Sequence, residues 1–285
     1  MQGLSSGRHL SVLGFVGMPA LTSSFVTLQD CRTFFIRTRR ELRSRGFAVA
    51  TVFYDRSEGH TGRLFSRIDK YDFDTVLWHQ PDRAAKETVP RLKDRGVQVV
   101  GVSDRWFPSI RCRYEVQREP AIMSILHDWR INDSITSVVI VRGIETSGAK
   151  EELLKTLVEE EGLGYEFQSA GDQRLGDFLN SLGGDKRRGI IFPSMAAAMF
   201  AFREPEALAN LMSRVRVSLT GGPASIPFAQ VPDVAADLVV VDWQLVAEQI
   251  VSDLVTRKAF NRAETTVFEA KARLRAPLSQ YAQRL

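Results

Sequence analysis

Cysteine and histidine are scarce in this 285-residue sequence, which contains two cysteines and four histidines. Cys31 and Cys112 lie in unrelated segments, and no histidine has a second histidine or a cysteine at a metal-ligand spacing. The sequence therefore excludes a disulfide framework and offers no metal site. We expect two buried thiols in a reducing compartment.

Long hydrophobic runs are also missing. No stretch approaches the ~20 consecutive apolar residues that a membrane-spanning helix needs. The apolar run from Leu10 to Val16 is broken by Gly14 and lacks the small-residue cleavage site of a secretory signal. These absences predict a cytoplasmic protein without membrane contact.

Charge of one sign is not abundant either. The formal net charge is +4, from 38 basic and 34 acidic residues, and we expect this mild excess to be spread along the chain. Nucleic-acid binding usually needs clustered lysines and arginines. The sequence therefore gives only weak evidence that this chain itself contacts nucleic acid.

Short apolar runs alternate with amphipathic stretches of helical period along the chain. Regular strand–helix alternation predicts parallel sheets that are covered by helices on both faces. The strands are too many for one modest sheet, and they fall into two sets, one over 9–104 and one over 135–222. We therefore predict an α/β fold with two Rossmann-like lobes.

Ligands of open parallel sheets bind beyond the carboxyl ends of the strands. The segments that follow predicted strands should therefore line a cleft between the lobes. These segments are 18–25, 79–82, 104–106, 143–150 and 192–194.

Catalytic motifs are absent from these segments. The loop GIETSGAK (143–150) resembles a phosphate-binding loop, but Ala149 stands where that motif needs lysine directly after its second glycine. The sequence shows no nucleophile–base pairing, no paired carboxylates in a plausible site and no cofactor fingerprint. We therefore expect no catalytic residue, no cofactor and no enzymatic activity.

An ordered series of segments resembles one known family over nearly the whole chain. The segments are LSSGRHLSVLGFVGMP (4–19), LKDRGVQVVGVSDR (92–105), RGIIFPSMAAAMFA (188–201), DLVVVDWQLVAEQIVSDLV (237–255) and EAKARLRAPLS (269–279). Together they resemble the lac/galactose repressor family of bacterial transcription regulators, which shares its fold with periplasmic sugar-binding proteins.

The resemblance implies a type I periplasmic-binding-protein-like fold with a small-molecule cleft between two lobes. By the resemblance, lobe one comprises 8–111 and 242–265, and lobe two comprises 112–241 and 266–285. The chain would be the effector-sensing and dimerisation domain of a regulator, and its ligand a sugar or a sugar derivative. DNA would be bound only through an N-terminal headpiece that this sequence does not contain.

Eleven residues are expected to contact the ligand, from strand ends and from the resemblance. They are Ser24, Phe25, His79, Gln80, Asp104, Arg105, Trp106, Glu145, Lys150, Phe192 and Ser194. A ring beside polar groups suits a sugar, which has an apolar face and hydroxyl edges. The sequence departs from the family at Ala149, Met195 and Gly222, where polar residues are usual. This predicts either a more apolar cleft or a cleft whose polar contacts have moved to the first lobe.

Several alternatives stay open on the sequence alone. His79 could cap a loop, and Trp106 could cover the edge of the sheet. Phe34 and Phe35 suggest a helix that faces a second copy in a homodimer, although both rings could pack on their own sheet. A solute-binding receptor for transport is the main alternative function, and an enzyme on a similar scaffold is the second.

Overall fold

The structure is a computed structural model that describes part of the 285-residue chain. The described residues are 9–18, 27–55, 65, 68–79, 81, 84–103, 109–110, 112–142, 148–169, 175–182, 187–193, 198, 211–212, 214–219, 236–256 and 265–275. All statements below concern these residues.

Strands and helices alternate through the described chain. In order, the elements are β1 (His9–Met18), α1 (Thr27–Ser44), β2 (Val49–Asp55), β3 (Asp72–His79), α2 (Ala84–Asp94), β4 (Gln98–Ser103), β5 (Cys112–Gln117), α3 (Glu119–Asn132), β6 (Ser137–Arg142), α4 (Gly148–Glu160), β7 (Gly164–Ser169), α5 (Leu175–Ser181), β8 (Arg188–Phe192), β9 (Arg216–Leu219), β10 (Asp237–Val240), α6 (Trp243–Val255), β11 (Thr265–Glu269) and β12 (Lys271–Arg273).

The chain divides into two compact units. The first unit comprises 1–117 and 242–268, and the second comprises 118–241 and 269–285. Among the described residues each unit has a six-stranded sheet, in the orders β11-β5-β4-β3-β1-β2 and β12-β10-β9-β8-β6-β7. The predicted α/β class with two parallel-sheet lobes is thereby confirmed.

The first unit is built on parallel pairing of its strands. β1 pairs with β2 and β3, β3 with β4, and β4 with β5, all in parallel. β3 and β4 are buried along most of their length, as expected for central strands that are covered on both faces. Trp78 lies in this core, where its Nε1 donates to the Tyr54 hydroxyl at 3.0 Å.

The boundary between the units differs from the expected one. Residues 112–117 form β5, which pairs with β4 in the first sheet, although the resemblance implied that lobe two begins at 112. The next helix, α3, begins at Glu119. Alternating burial along β5 shows why these residues form a strand, since every second side chain is buried.

The second unit has one antiparallel edge. β6 pairs in parallel with β7 and β8, β8 with β9, and β9 with β10, whereas the short β12 runs antiparallel to β10. α3 and α4 cover this sheet with a core that includes Leu126, Trp129, Leu154 and Val158. β10 ends at Val240. The Asp242 side chain then accepts from two backbone amides and caps the start of α6.

A cluster of buried charges lies at the amino end of β9 and β10. Arg216 is fully buried, and its guanidinium contacts Asp128, Asp133 at 2.7 Å and Asp237 at 3.3 Å. Asp237 also accepts from the Arg275 amide at 2.8 Å and from the Trp129 indole at 2.7 Å. These bonds fix α3 and the segment after β12 to the base of the second sheet.

A partly exposed ionic contact joins α3 to the end of α4. Glu161 accepts from the Arg130 Nε at 2.7 Å and contacts the His127 ring at 3.0 Å. Burial acts to raise the pKa of Glu161, but the hydrogen bonds from Arg130 and His127 outweigh it, and the pKa lies below its usual value. The ionised carboxylate therefore stabilises the fold.

Replacement of Glu161 by glutamine should have a pH-dependent effect. A carboxyl group whose pKa is lowered by folding stabilises above its unfolded pKa, and this stabilisation is lost as pH falls through the folded pKa. We expect Glu161→Gln to lower the free energy of unfolding by about 1 kcal/mol at neutral pH. The difference measured by urea denaturation should shrink as the pH falls below the usual pKa of a glutamate; a difference that stays constant with pH would contradict this origin.

Candidate functional site

The carboxyl ends of neighbouring strands meet at one edge of the first sheet. His79 at the end of β3 lies level with Val16 of β1 and Val102 of β4, and Ser103 at the end of β4 lies level with Glu115 of β5. This edge is where open parallel sheets bind ligands. Three of the five segments that we expected to line a cleft begin here.

A depression opens beside the ends of β4 and β5. It has a volume of about 230 Å³, part of which is open solvent, and it is lined by Pro81, Gly101, Ser103, Ile110, Arg113, Tyr114 and Glu115. Ser103, Arg113 and Glu115 supply hydroxyl, guanidinium and carboxylate groups, which can bind a polar ligand through hydrogen bonds. The depression is shallow and encloses far less space than typical ligand sites of ~300–1,000 Å³, so it could contact only the edge of a ligand.

Tyr114 forms the wall of this depression and is fixed from behind. Its hydroxyl donates to the Asp253 carboxylate of α6 at 2.9 Å, and its ring stacks on Phe268 with centroids 6.4 Å apart. Asp253 also accepts from Gln249 at 3.0 Å. The ring is therefore held in one orientation by α6 and β11 before any ligand binds.

Polar side chains also gather at the carboxyl edge of the second sheet. The Lys150 Nζ, in the first turn of α4, donates to the Pro193 carbonyl just after β8 at 2.7 Å. Arg142 at the end of β6 pairs with Glu151 at 3.1 Å and lies 4.2 Å above the Phe167 ring. The two expected segments of this unit therefore meet, and Lys150 joins them.

Eight of the eleven expected ligand contacts lie outside the described residues. They are Ser24, Phe25, Gln80, Asp104, Arg105, Trp106, Glu145 and Ser194. Their placement at a binding site stays a prediction. Lys150 is described and lies half-buried at the expected edge.

The other two expected contacts are core residues in the structure. The His79 ring is buried, and its centroid lies 5.5 Å from those of Phe34 and Trp243 and 6.0 Å from that of Phe35. Phe192 is fully buried as well. Their positions at strand ends are as expected, and the His79 ring packs against residues of α1 and α6. Ligand contact by either side chain stays a prediction.

Phe34 and Phe35 are buried within their own unit. Their exposed fractions are 0% and 7%, and the two rings contact each other edge to face at 5.1 Å. The alternative in which both rings pack on their own sheet is the one observed. These rings therefore give no reason to expect a dimer interface on α1.

Two residues that line the depression, Arg113 and Glu115, lie in none of the segments that were expected to line a cleft. The period-two alternation in CRYEVQ (112–117) is the signal that finds them, because it places Arg113 and Glu115 on the face opposite to Cys112 and Tyr114.

The described ranges can be examined for a membrane-spanning helix and for a metal site. None of the helices there is both long and apolar enough to cross a membrane. The same ranges bring no three histidine, cysteine or acidic side chains together as a metal site. Cys112 is buried and forms no disulfide.

Solved structures match this architecture over almost its whole length. The probable maltose operon repressor MalR of a Staphylococcus aligns with a TM-score of 0.69 and 10% identity, covering 96% of this chain and 99% of that one. A sugar transporter subunit from Rhodobacter sphaeroides 2.4.1 aligns with a TM-score of 0.69 and 11% identity, covering 93% of this chain and 98% of that one. The fold is that of the type I periplasmic binding proteins.

Neighbours with this periplasmic-binding-protein-like fold include ligand complexes. A LacI-family regulator from Arthrobacter sp. FB24, solved with lactose, aligns with a TM-score of 0.65 and 13% identity, covering 94% of this chain and 99% of that one. No family model and no curated protein matches the sequence. At such low identities the matches show the fold, which regulators and transport receptors share.

Proposed function

We propose that this chain is the effector-sensing domain of a cytoplasmic transcription regulator and that it binds a sugar or sugar derivative. The observation that carries the proposal is the pair of polar strand edges, one with Ser103, Arg113 and Glu115, the other with Lys150. They lie at the ends of parallel strands in a fold whose solved examples include a regulator bound to lactose.

The chemistry of the two edges suits a polyhydroxyl ligand. Guanidinium and ammonium groups donate to hydroxyl oxygens, and the Glu115 carboxylate accepts from hydroxyl hydrogens. The edge in the first unit would contact only part of a ligand. A ligand whose affinity differs between two states of a protein shifts the balance between those states.

Binding without turnover is part of the proposal. Catalysis needs a base positioned against a nucleophile or a similar pair. His79, which the sequence offered as a titratable group at this edge, is buried among aromatic rings. The edge groups that the structure describes are hydrogen-bonding groups for recognition, and we propose no cofactor.

DNA control and dimerisation complete the proposed function. A DNA-binding headpiece outside this sequence would bind the operator, and two copies would form a homodimer that matches a two-fold operator. This part rests on the family resemblance alone. The coding sequence upstream of Met1 tests it: a helix-turn-helix supports the regulator, whereas a secretory signal peptide would overturn it in favour of a transport receptor.

Ligand binding can be tested by a thermal-shift screen with sugars, sugar acids and sugar phosphates, followed by calorimetric titration of any hit. We expect Lys150→Gln to weaken the affinity for the hit by about tenfold, since one charge-assisted hydrogen bond is lost. The melting temperature should change little, because Lys150 is half-buried at the edge of the sheet.

Lys155→Gln is the matched control. Lys155 lies in the same helix, carries the same charge and pairs only with the exposed Glu152 at 3.4 Å. Its replacement should leave the affinity unchanged. Equal affinities of the Lys150 and Lys155 variants would show that the site lies elsewhere, and steady product formation from the hit would establish an enzyme instead.

A further inference from the structure

The positive charge of this chain is concentrated in one element. Residues 27–45, which comprise α1 and the residue after it, contain six arginines and two acidic residues. The other 32 basic and 32 acidic residues of the chain cancel. The formal net charge of +4 therefore belongs to α1, which corrects the expectation that the excess is spread along the chain.

Four arginines of α1 and Arg45, which follows it, are exposed. Phe34, Phe35, Thr38 and Leu42 are buried against the first unit. The exposed positions include Arg37, Arg39, Arg40, Arg43 and Arg45, which we call the arginine face. At 100° per residue, Arg37, Arg39, Arg40 and Arg43 share an arc of about 160° around the helix.

Little in the surrounding structure neutralises this face. Within the described part of the chain, none of its five arginines forms an ion pair with a carboxylate. Arg37 bonds the Gln244 amide of α6, and Arg43 donates to the Val49 carbonyl at 3.2 Å. The neighbouring helix α6 has two exposed acids at this end. Glu248 accepts from the Gln244 side chain at 2.8 Å, and the cap Asp242 accepts from the Gln244 and Leu245 amides.

We propose that the arginine face binds the phosphate backbone of double-stranded DNA. Arginine recognises phosphate with two parallel hydrogen bonds, and cations clustered along one helix are the footprint of nucleic-acid binding. The face has no aromatic residue on which the bases of a single strand would stack. This contact goes beyond a headpiece, and it requires no effector.

The composition of the face favours DNA over an acidic protein. Arginine is enriched at protein–protein interfaces, but there it acts beside aromatic or apolar anchors in a desolvated centre. Among the described residues, six exposed positions lie on the arc: four are arginines, and the other two are Ser44 and Ile36, which is 47% exposed. A second copy of the chain is disfavoured because two such faces would repel each other.

The test compares two triple variants of the chain without effector. R39Q/R40Q/R45Q removes three arginines that form no hydrogen bond with other described residues. K86Q/K271Q/R273Q removes three exposed cations elsewhere and causes the same change in net charge. Circular dichroism and thermal melting first establish that both variants are folded, and the affinity for short duplexes of unrelated sequence is then measured by fluorescence anisotropy at several salt concentrations.

We expect the parent chain and the control variant to bind every duplex at low salt. R39Q/R40Q/R45Q should bind about tenfold more weakly or worse, and its plot of log K against log salt should be shallower by about 0.9 for each lost phosphate contact. No duplex binding by the parent, or an equal loss in both variants, would overturn the proposal.

Competition separates DNA from the other class of partner. Poly-L-glutamate, added at the same concentration of charge as unlabelled duplex, should displace labelled DNA less effectively. Equal displacement would indicate that the arginine face accepts any acidic chain, including a protein, and would overturn its assignment to DNA. The outcome is independent of the sugar titrations, so failure of one proposal is distinguishable from failure of the other.

Discussion

Replacement of Arg216 by methionine is expected to lower the free energy of unfolding by about 3–5 kcal/mol, since removal of one partner leaves buried charges uncompensated. Arg216 is fully buried and contacts Asp128, Asp133 and Asp237. Methionine fills much of the same space but offers these carboxylates no donor. Urea denaturation at neutral pH measures the difference.

The pH dependence of this loss identifies its cause. Burial raises the pKa of Asp237 above its usual value, although Arg216 and Arg275 act to lower it. Without Arg216 the pKa should rise further, so the variant should bind a proton at Asp237 more readily than the parent. The deficit in stability should therefore shrink as pH falls, because protonation removes the buried negative charge.

Arg273→Met is the control for this experiment. Arg273 lies on β12 of the same unit and is exposed, so its replacement should change the free energy of unfolding by less than about 0.5 kcal/mol. If Arg216→Met lowered the free energy of unfolding by no more than this control does, the charge cluster would not hold the base of the second sheet together.

Much of the fold was predictable from the sequence because its signals are local. Apolar runs such as SVVIVR (137–142) and QVVGVS (98–103) are buried on both faces and are recognisable without knowledge of their neighbours. β5 was missed because its six residues carry three polar side chains and directly precede a helix. Its pairing with β4 is a tertiary contact that a local pattern does not contain.

The candidate site was less predictable for a related reason. Sequence position located the strand ends, and Lys150 lies where expected. The direction of a side chain at a strand end depends on which face a helix covers. The His79 ring packs against Phe34 of α1 and Trp243 of α6, whereas Arg113 and Glu115 line the depression. The net charge of the whole chain also gave no indication of the arginine face. The value of +4 is small for 285 residues and does not show that the excess lies in one segment.

The second sheet depends on one close contact between a glycine and a tryptophan. Gly189 lies in β8, between Val138 of β6 and Arg216 of β9. A Cβ added at Gly189 would lie 2.3 Å from Cζ3 and 2.5 Å from Cε3 of the Trp129 ring. The ring is fully buried and its Nε1 donates to Asp237, so it has little freedom to retreat.

Replacement of Gly189 by alanine is therefore expected to cost about 3 kcal/mol, at the upper end of the usual range for overpacking. Gly164→Ala in the edge strand β7 is the control, since its nearest contact would be an ordinary 3.5 Å to the Ser137 Cβ. Urea denaturation of both variants gives the comparison. Equal stabilities of the two variants would show that the Trp129 ring moves aside without cost.

A double-mutant cycle tests whether Trp129 is the cause. Phenylalanine at 129 lacks the benzo ring that meets the new methyl group, although it also loses the bond to Asp237. If the clash is with this ring, the losses from Gly189→Ala and Trp129→Phe should fall short of additivity by about 1 kcal/mol. Additive losses would place the strain elsewhere in β8. Because β8 ends beside Pro193, whose carbonyl accepts from Lys150, the same strain should also lower the affinity for any sugar bound at that edge.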